Sequence, residues 1–416
     1  MRKKYVLVGT GGRALQMYAK PIASTYADCA QMVGVCDINP LRAEALKHLS
    51  SLDCPSYQNF DQMLVETKPD AAIITTVDRY HDEYAVKCLN SGIDVILEKP
   101  MAINAEKCKA ILDAEKKSGK KVIVTFNYRF TPYVTAIKQA IKDGAIGKIL
   151  NVDFEYILDT KHGADYFRRW HRKKENSGGL LVHKSTHHFD LINWWIDDEP
   201  AEVMAFGTRR FYTSDKQPHG ERCMTCNCNG TCEFYLDIKE DPVNDELYFR
   251  CESADGYHRD GCIFSDDIDI EDTMSVNVRY AGGVMLSYSL IAHSPYEGFK
   301  ASINGTDGRL ELAEYHSGER ASESAYIFDV YDRQGCKTSH HILKSSGGHG
   351  GGDEKLRRMI FRGDLPDPLG HMASTYSGAI SILIGIAANK SIATGKNVLI
   401  SDMVDLNKYH AVPANR

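Results

Sequence analysis

Residues 4–37 read KYVLVGTGGRALQMYAKPIASTYADCAQMVGVCD. This pattern predicts a short β-branched strand, a glycine-rich turn, a helix, and a second apolar strand that ends on Asp37. A dinucleotide site requires these elements in this order, because the turn and the helix start bind the phosphates and the acid binds a ribose. The sequence therefore predicts a dinucleotide-binding unit at the start of the chain.

Each small residue of the turn has a physical reason to be there. Gly9 allows the sharp turn, Gly11 lets the backbone approach a pyrophosphate, and Ala14 fits where the helix packs on the strand. The helix start offers free N–H groups to an anion. The predicted cofactor-binding residues of the turn are Gly9, Thr10, Gly11, Gly12, Arg13 and Ala14.

Asp37 follows the second strand directly. A carboxylate at this position accepts hydrogen bonds from ribose hydroxyls and repels a 2′-phosphate. We therefore expect NAD rather than NADP as the cofactor.

The composition and charge of the chain exclude several classes of function. The chain has 416 residues, 43% of them hydrophobic, and a formal net charge of −6. It is long enough for two domains, and without a basic block it is not expected to bind nucleic acid or an anionic membrane. We found neither a signal-peptide core nor an apolar span long enough for a bilayer, which predicts a cytoplasmic protein.

The alternation of strands and helices continues after Asp37. Apolar runs at residues 71–74, 94–97 and 122–124 are separated by helical segments, which predicts a doubly wound parallel sheet. Lys99 follows one of these runs and would lie over the nicotinamide, where burial and a nearby cation lower a lysine pKa. From spacing alone, a solvated loop lysine is an equal alternative.

Together these motifs resemble the Gfo/Idh/MocA oxidoreductase family, which includes sugar and inositol dehydrogenases. The resemblance implies an α/β protein: an NAD-binding Rossmann domain at residues 1–126, and at residues 127–416 an α/β domain with a large, mostly antiparallel open sheet. It also implies that Lys99 contacts both the nicotinamide ribose and the substrate. The strand-end residues that carry the likeness, and that we expect at the cofactor, are Thr75, Thr76, His81, Glu98, Lys99 and Asn127.

A second catalytic motif of the family maps onto residues 177–190. The family has an aspartate and a histidine four positions apart on one helix face; here His187 matches the histidine and His183 replaces the aspartate. By resemblance, His187 is the general base on the hydroxyl that is oxidised. A surface position is more plausible for His188, which faces elsewhere on the helix, than for His187.

Three interpretations of His183 remain open. It could orient the substrate as the aspartate does, which we favour, or it could change which proton is moved. It could also bind a metal together with His187, although no third ligand is evident in the sequence.

Residues 166–172 combine aromatic and basic side chains. They would suit a sugar site, with rings against C–H faces and arginine donors for hydroxyls; a basic surface loop is the alternative. Outside the catalytic lysine and histidines, the predicted substrate-binding residues are Tyr128, Arg169 and Trp170.

Residues 213–267 are predicted to be an insertion rich in cysteine. A C-x₂-C pair with two distant cysteines suits a tetrahedral structural zinc site, and a metal could stabilise a segment with few apolar residues. Disulfides, free thiols and an iron–sulfur cluster are the alternatives. The predicted zinc ligands are Cys223, Cys226, Cys232 and Cys262.

The rest of the chain predicts further strands, a glycine-rich loop at residues 347–353 with His349, and a final helix. The loop is either a lid near the site or a linker. We expect the open sheet to form a homodimer or homotetramer. The predicted activity is NAD-dependent oxidation of a secondary hydroxyl of a sugar, cyclitol or glycoside. The alternatives are a glycosidase that recycles bound NAD and a non-enzymatic NAD-binding regulator.

Overall fold

Two β-sheets organise the protein in the computed structural model, which describes residues 2–215 and 219–409. The first is a six-stranded parallel sheet, and the second is a nine-stranded, mostly antiparallel sheet. The predicted fold class is confirmed.

The first sheet has the strand order β3-β2-β1-β4-β5-β6, with every pairing parallel. This order places the ends of β1 and β4 side by side at the point where the winding reverses, which is where such sheets bind ligands. The strand β3 was not predicted from the sequence, because two residues are too short for a periodic pattern. The strands are β1 Lys3–Val8, β2 Ala30–Cys36, β3 Ser56–Tyr57, β4 Ala71–Ile74, β5 Asp94–Leu97 and β6 Val122–Val124.

Helices cover both faces of this sheet. The first helical segment includes a π-helical turn at Leu15–Ala19. The side chains of Asn39, Asn59 and Asn104 each cap a following helix by accepting a hydrogen bond from a backbone N–H. The helices are Gly12–Ala14, Lys20–Ala23, Pro40–Ser50, Phe60–Thr67, His81–Asn90 and Ala105–Ser118, with a 3₁₀ turn at Asp78–Tyr80.

The second sheet has the order β14-β13-β12-β11-β7-β10-β9-β8-β15. Among the described strands of this second sheet, only β7 and β10 pair in parallel. The sequence analysis missed β7, although it lies near the centre of the sheet. The strands are β7 Ile149–Asp159, β8 Pro200–Thr208, β9 Thr273–Tyr280, β10 Met285–Ser294, β11 Gly298–Gly305, β12 Gly308–Tyr315, β13 Ala325–Asp332, β14 Lys337–Leu343 and β15 Val398–Leu399.

The helices of the second half pack against this sheet and the first domain. They are Pro132–Lys142, Thr160–Arg168, Lys174–Ser177, Leu180–His183, Thr186–Ile196, Pro242–Leu247, Glu252–Asp255, Gly352–Phe361 and Thr375–Thr394. The 3₁₀ turns are Asn127–Phe130, Trp170–Arg172, Cys223–Thr225, Phe249–Cys251, Glu319–Ser322, Gly348–Gly351, Ile400–Asp402 and Leu406–Lys408.

By length and composition alone, the helix Thr375–Thr394 could cross a membrane. The expectation that the chain lacks such a span was therefore too strict. However, 61% of its apolar window is buried inside the protein. This burial is typical of a core helix, and the helix contacts β8 and the helix Thr186–Ile196.

Candidate functional site

The glycine turn is held tightly against the end of β4. Gly9 has φ +86°, and a Cβ there would lie 2.6 Å from the backbone N of Thr76. Only glycine avoids both the conformational strain and this clash. The Thr75 hydroxyl donates to the Gly9 carbonyl at 2.6 Å, so Thr75 supports the turn from below.

Asp37 also supports this turn. Its Oδ2 accepts from the backbone N of Thr10 at 2.7 Å and from the Thr10 hydroxyl at 2.8 Å, while its Oδ1 accepts from the backbone N of Asn39 at 2.8 Å. The predicted ribose-binding acid therefore has a structural role in addition to the one deduced from the sequence.

Lys99 reaches across to the second domain. Its Nζ donates to the carbonyl of His183 at 3.4 Å, and the Lys99–Pro100 bond is cis. Burial lowers the pKa of Lys99 to about 8, although the charges of Asp78 and Glu98 oppose the shift. Lys99 is therefore not a solvated loop residue.

Two residues that were predicted to bind the cofactor, Glu98 and His81, hold the chain in place around Lys99. Glu98 accepts from Arg13 Nε at 2.8 Å and from the Tyr18 hydroxyl at 2.7 Å, which ties the first helix to β5. His81 contacts the carbonyls of Pro100 and Thr76 with its two ring nitrogens, at 2.8 and 3.2 Å. Both residues thus position the strand ends.

His183 is buried and paired with Asp78. The His183 Nδ1 lies 2.5 Å from Asp78 Oδ2, and burial keeps the pKa of His183 well below its usual value. A hydrogen on Nδ1 leaves Nε2 as an acceptor. The rings of Tyr166, Trp170 and His171 surround His183, with centroid distances of 5.6, 5.6 and 4.3 Å.

His187 lies in an aromatic pocket. Its ring centroid is 6.2 Å from those of Phe126 and Tyr128 and 6.1 Å from that of His349. Its Nδ1 is buried without a protein partner among the described residues, and burial lowers the pKa of His187 well below its usual value. A neutral imidazole at physiological pH is therefore expected.

The glycine-rich loop brings Asp353 to this site. Asp353 accepts from Asn127 Nδ2 at 2.5 Å and pairs with Arg13 at 3.3 Å and with His349 at 3.2 Å. This network links the first helix, the end of β6 and the loop. Of the two interpretations of the loop, its contacts favour a place near the site.

Two sequence expectations about the histidine motif were wrong. The motif is broken into the helices Leu180–His183 and Thr186–Ile196, and the break leaves the His183 carbonyl for Lys99. His188 is not on the surface: it is 1% exposed, stacks on Tyr156 and bonds the Tyr288 hydroxyl at 2.8 Å. The apolar packing of the helix buries it.

Arg169, predicted to bind the substrate, forms an ion pair with Asp165, 2.9 Å apart. This pairing partly neutralises the predicted sugar-binding arginine. The hydroxyl of Tyr128, also predicted to bind substrate, lies 3.1 Å from His316 Nε2.

The insertion brings cysteines from distant positions around one small cavity, lined by Cys223, Cys226, Cys228, Cys232 and Cys262. Arg168 donates to the Cys223 sulfur at 3.1 Å. The amide of Cys228 donates to the Cys226 sulfur, which lowers the pKa of that thiol. No disulfide links the described cysteines.

Among the described residues, three possible metal ligands lie within 4.8 Å of one another at Glu252, His258 and Asp260, and none of these is a cysteine. Arg222 already neutralises this group, with ion-pair distances of 2.6 Å to Glu252 and Asp260. A metal at His183 and His187 likewise lacks a third ligand of this kind among the described residues.

The residues present fit a dinucleotide. The glycine turn gives the close backbone approach, and buried acceptor or donor atoms on Asn127 (Oδ1), His187 (Nδ1) and Arg42 (Nη2) have no protein partner among the described residues. Buried polar atoms of this kind are normally satisfied, so a bound ligand is the natural partner.

Three residues at this site were not predicted: Asp78, Asp353 and Tyr248, whose hydroxyl accepts a hydrogen bond from the backbone N of Gly12 at 2.8 Å. Asp78 lies just beyond the end of β4, so strand-end logic could have found it. Asp353 and Tyr248 come from distant segments and carry no local signal.

Two models of one oxidoreductase family match most of the chain: the NAD-binding Rossmann fold at residues 3–126 and the C-terminal α/β domain at residues 138–400. The chain belongs to the Gfo/Idh/MocA family. It is therefore an oxidoreductase with an NAD-binding Rossmann domain.

Relatives agree with this assignment. The protein is 37% identical to YteT of Bacillus subtilis (strain 168), named as an oxidoreductase, over 97% of this chain and 99% of the relative. It is 27% identical to a levoglucosan dehydrogenase of Pseudarthrobacter phenanthrenivorans, over 73% and 70% of the two chains. An inositol 2-dehydrogenase/D-chiro-inositol 3-dehydrogenase of Lactiplantibacillus plantarum is 24% identical, over 52% of this chain and 62% of the relative.

The fold is also shared with solved structures. An oxidoreductase from Agrobacterium radiobacter in complex with NAD⁺, L-tartaric acid and magnesium aligns with a TM-score of 0.67 at 17% identity. The alignment covers 97% of this chain and all of the other. The dehydrogenases among the sequence relatives support a dehydrogenase over the glycosidase and regulator alternatives.

Proposed function

We propose that the protein is an NAD-dependent dehydrogenase of a secondary hydroxyl on a sugar or cyclitol. The observation that carries this proposal is the meeting of Lys99 and His183, 3.4 Å from Lys99 Nζ to the His183 carbonyl, beside the buried His187 at the edge of the NAD-binding sheet. The named dehydrogenase relatives support the substrate class.

His187 is proposed as the general base. Burial keeps its imidazole neutral, and its Nδ1 has no partner among the described residues. It therefore takes the proton of the substrate hydroxyl while the carbon-bound hydrogen leaves as hydride. NAD, when bound, supplies the hydride acceptor at nicotinamide C4.

Lys99 is proposed to hold the reacting oxygen. A protonated amine with a pKa of about 8 donates a hydrogen bond at neutral pH and stabilises negative charge that develops on the oxygen. His183, oriented by Asp78, then acts as a substrate ligand, which is the interpretation of the histidine substitution that we favour.

The test is to incubate the purified protein with NAD⁺ and a panel of free sugars, cyclitols and aryl glycosides while following NADH absorbance and aglycone release together. NADH that accumulates with substrate, and that is lost in Lys99→Ala and His187→Asn, supports the proposal. Aglycone release without net NADH would establish the glycosidase. Bound NAD with neither signal would favour the regulator.

We also propose a structural zinc in the insertion, held by Cys223, Cys226, Cys232 and Cys262. Its support is that these cysteines, from two chain segments, line one cavity. Elemental analysis should find one zinc per chain, lost in Cys262→Ser and kept in the control Cys336→Ser, which alters an exposed cysteine elsewhere. Iron would indicate a cluster, and no metal would overturn the proposal.

We propose that the open face of the second sheet pairs copies of the chain into a homodimer or homotetramer. This face carries Ser275, Asn277, Ser287, Ser289 and Lys300 on a broad surface. Light scattering should give a dimeric or tetrameric mass, and a monomer at micromolar concentration would contradict it. A cytoplasmic location remains a prediction, to be checked by cell fractionation.

A further inference from the structure

The insertion does more than surround its cysteines. Residues 242–259, here called the insertion arm, leave the second domain and pack on the first. Leu247 and Cys251, 0% and 2% exposed, join the apolar cluster that includes Leu15 and Val35. The arm therefore covers the edge of the first sheet where the glycine turn begins.

Tyr248 of the arm contacts this turn directly. Its hydroxyl accepts a hydrogen bond from the backbone N of Gly12 at 2.8 Å, although 236 positions separate the two residues. A Cβ on Gly11 would lie 3.2 Å from the same hydroxyl. The Gly12 amide is one of the free N–H groups that the sequence assigns to a pyrophosphate.

Arg42 and Asn39 fasten the arm. Asn39 Nδ2 donates to the Cys251 carbonyl at 2.8 Å, and Arg42 Nε donates to the Leu247 carbonyl at 3.2 Å. Arg42 Nη1 lies 2.8 Å from Asp255 Oδ2. These bonds tie the arm to the helix that follows β2.

The surroundings of Arg42 also indicate a ligand site. Its side chain is 10% exposed, and its Nη1 lies 3.8 Å from Asp37 Oδ1, the acid assigned to the ribose. Its Nη2 is buried and has no partner among the described residues. A buried guanidinium with an unused donor beside this acid is suited to the adenosine half of a dinucleotide.

We propose that the insertion arm is a clamp that retains NAD. A phenol both accepts and donates, so the Tyr248 hydroxyl is placed to donate to a pyrophosphate oxygen, and Arg42 Nη2 to bond the ribose. Cofactor release then requires the arm to separate from Asn39 and Arg42, so exchange is slow. This proposal rests on the NAD binding of the proposed function.

The test is the rate of NADH dissociation, measured by stopped-flow fluorescence with excess NAD⁺ as the competitor. Tyr248→Phe keeps the ring and removes the hydroxyl, and Asp255→Asn removes the charge that fastens Arg42. Each is expected to speed release by about 10-fold, the effect of one lost hydrogen bond to a charged group. Tyr235→Phe, in the same insertion but beside the cysteines, is the control and should release NADH at the unchanged rate.

Thermal unfolding of each variant checks that it folds. If Asp255→Asn does not fold, the release rate of Tyr248→Phe alone decides the test. Release at the original rate from a folded Tyr248→Phe would overturn the clamp. In that case hydride transfer by the original protein would leave the proposed function intact. Failure of the original protein to bind NADH would instead overturn both.

Discussion

Burial opposes the role that we propose for Lys99. The amine must be protonated to donate to the reacting oxygen, yet burial favours its neutral form and lowers its pKa to about 8. The neighbouring carboxylates Asp78 and Glu98 limit this fall, so the amine keeps its proton at neutral pH. A lysine pKa near the working pH is typical of a catalytic position.

We expect kcat/KM to fall as the pH rises through about 8, because Lys99 loses its donor proton there. His187, with its pKa lowered by burial, should stay neutral over this whole range, so its protonation limits activity only in acid. In Lys99→Arg the fall of kcat/KM at alkaline pH should disappear, because arginine stays protonated. This holds whatever activity the variant retains. An identical alkaline fall in that variant would exclude Lys99 as its origin.

Asp78 is predicted to act through its neighbours. Its ionised form raises the pKa of Lys99, although burial raises the pKa of Asp78 itself, and its Oδ2 lies 2.5 Å from His183 Nδ1. Asp78→Asn should therefore move the alkaline fall of the pH profile to lower pH and raise KM for the substrate. Asp82→Asn serves as the control, because Asp82 forms its ion pair with Lys107. A drop in rate without a shift in the profile would indicate a merely structural role.

At the scale of elements, a buried ion pair fixes the helix Thr186–Ile196, which carries His187. Arg129, in the 3₁₀ turn after β6, forms two hydrogen bonds of 2.7 and 2.6 Å with Asp190 of the helix Thr186–Ile196. Their side chains are 5% and 1% exposed. The pair therefore fixes the helix, and with it His187 one turn earlier, relative to the turn that follows β6.

Asp190→Ala should lower the free energy of unfolding by about 3–5 kcal/mol, because it leaves the Arg129 charge buried without its partner. Lys109→Ala removes an exposed ion pair with Asp113 and should cost at most about 1 kcal/mol. Denaturant titration measures both. Equal effects of the two substitutions would contradict a special role for the buried pair.

At the scale of the whole molecule, the insertion arm and the loop with Asp353 both contact the segment around the glycine turn, through Gly12 and Arg13, where we propose that the dinucleotide binds. Ligand that binds only the folded protein stabilises it, by about 2.7 kcal/mol at 100 times Kd. NAD⁺ should therefore raise the Tm. NADP⁺ at equal concentration should raise it less, because Asp37 repels a 2′-phosphate. An equal or larger shift with NADP⁺ would refute the cofactor preference.

Much of the fold could be predicted because its signals are local. Most strands of the first sheet appear as short apolar runs between helices, and their order places polar residues such as Thr75 and Lys99 at one edge. The two-residue β3 carries too little pattern to detect. The strand β7 was missed although its buried Val152, Phe154 and Tyr156 alternate with polar residues, which is a local signal. Its central place in the sheet could not be predicted, because its partners β10 and β11 lie more than a hundred residues further along the chain.

The sequence by itself determined the dinucleotide turn and the family, and it identified Lys99 and His187 as candidates, because periodicity and short motifs express local geometry. The tertiary structure alone decided which groups meet them. Asp78 and His183 are 105 positions apart, and Gly12 and Tyr248 are 236 apart. Such contacts depend on how the two domains and the insertion pack, and the burial that shifts the pKa of Lys99 and His187 arises only from that packing.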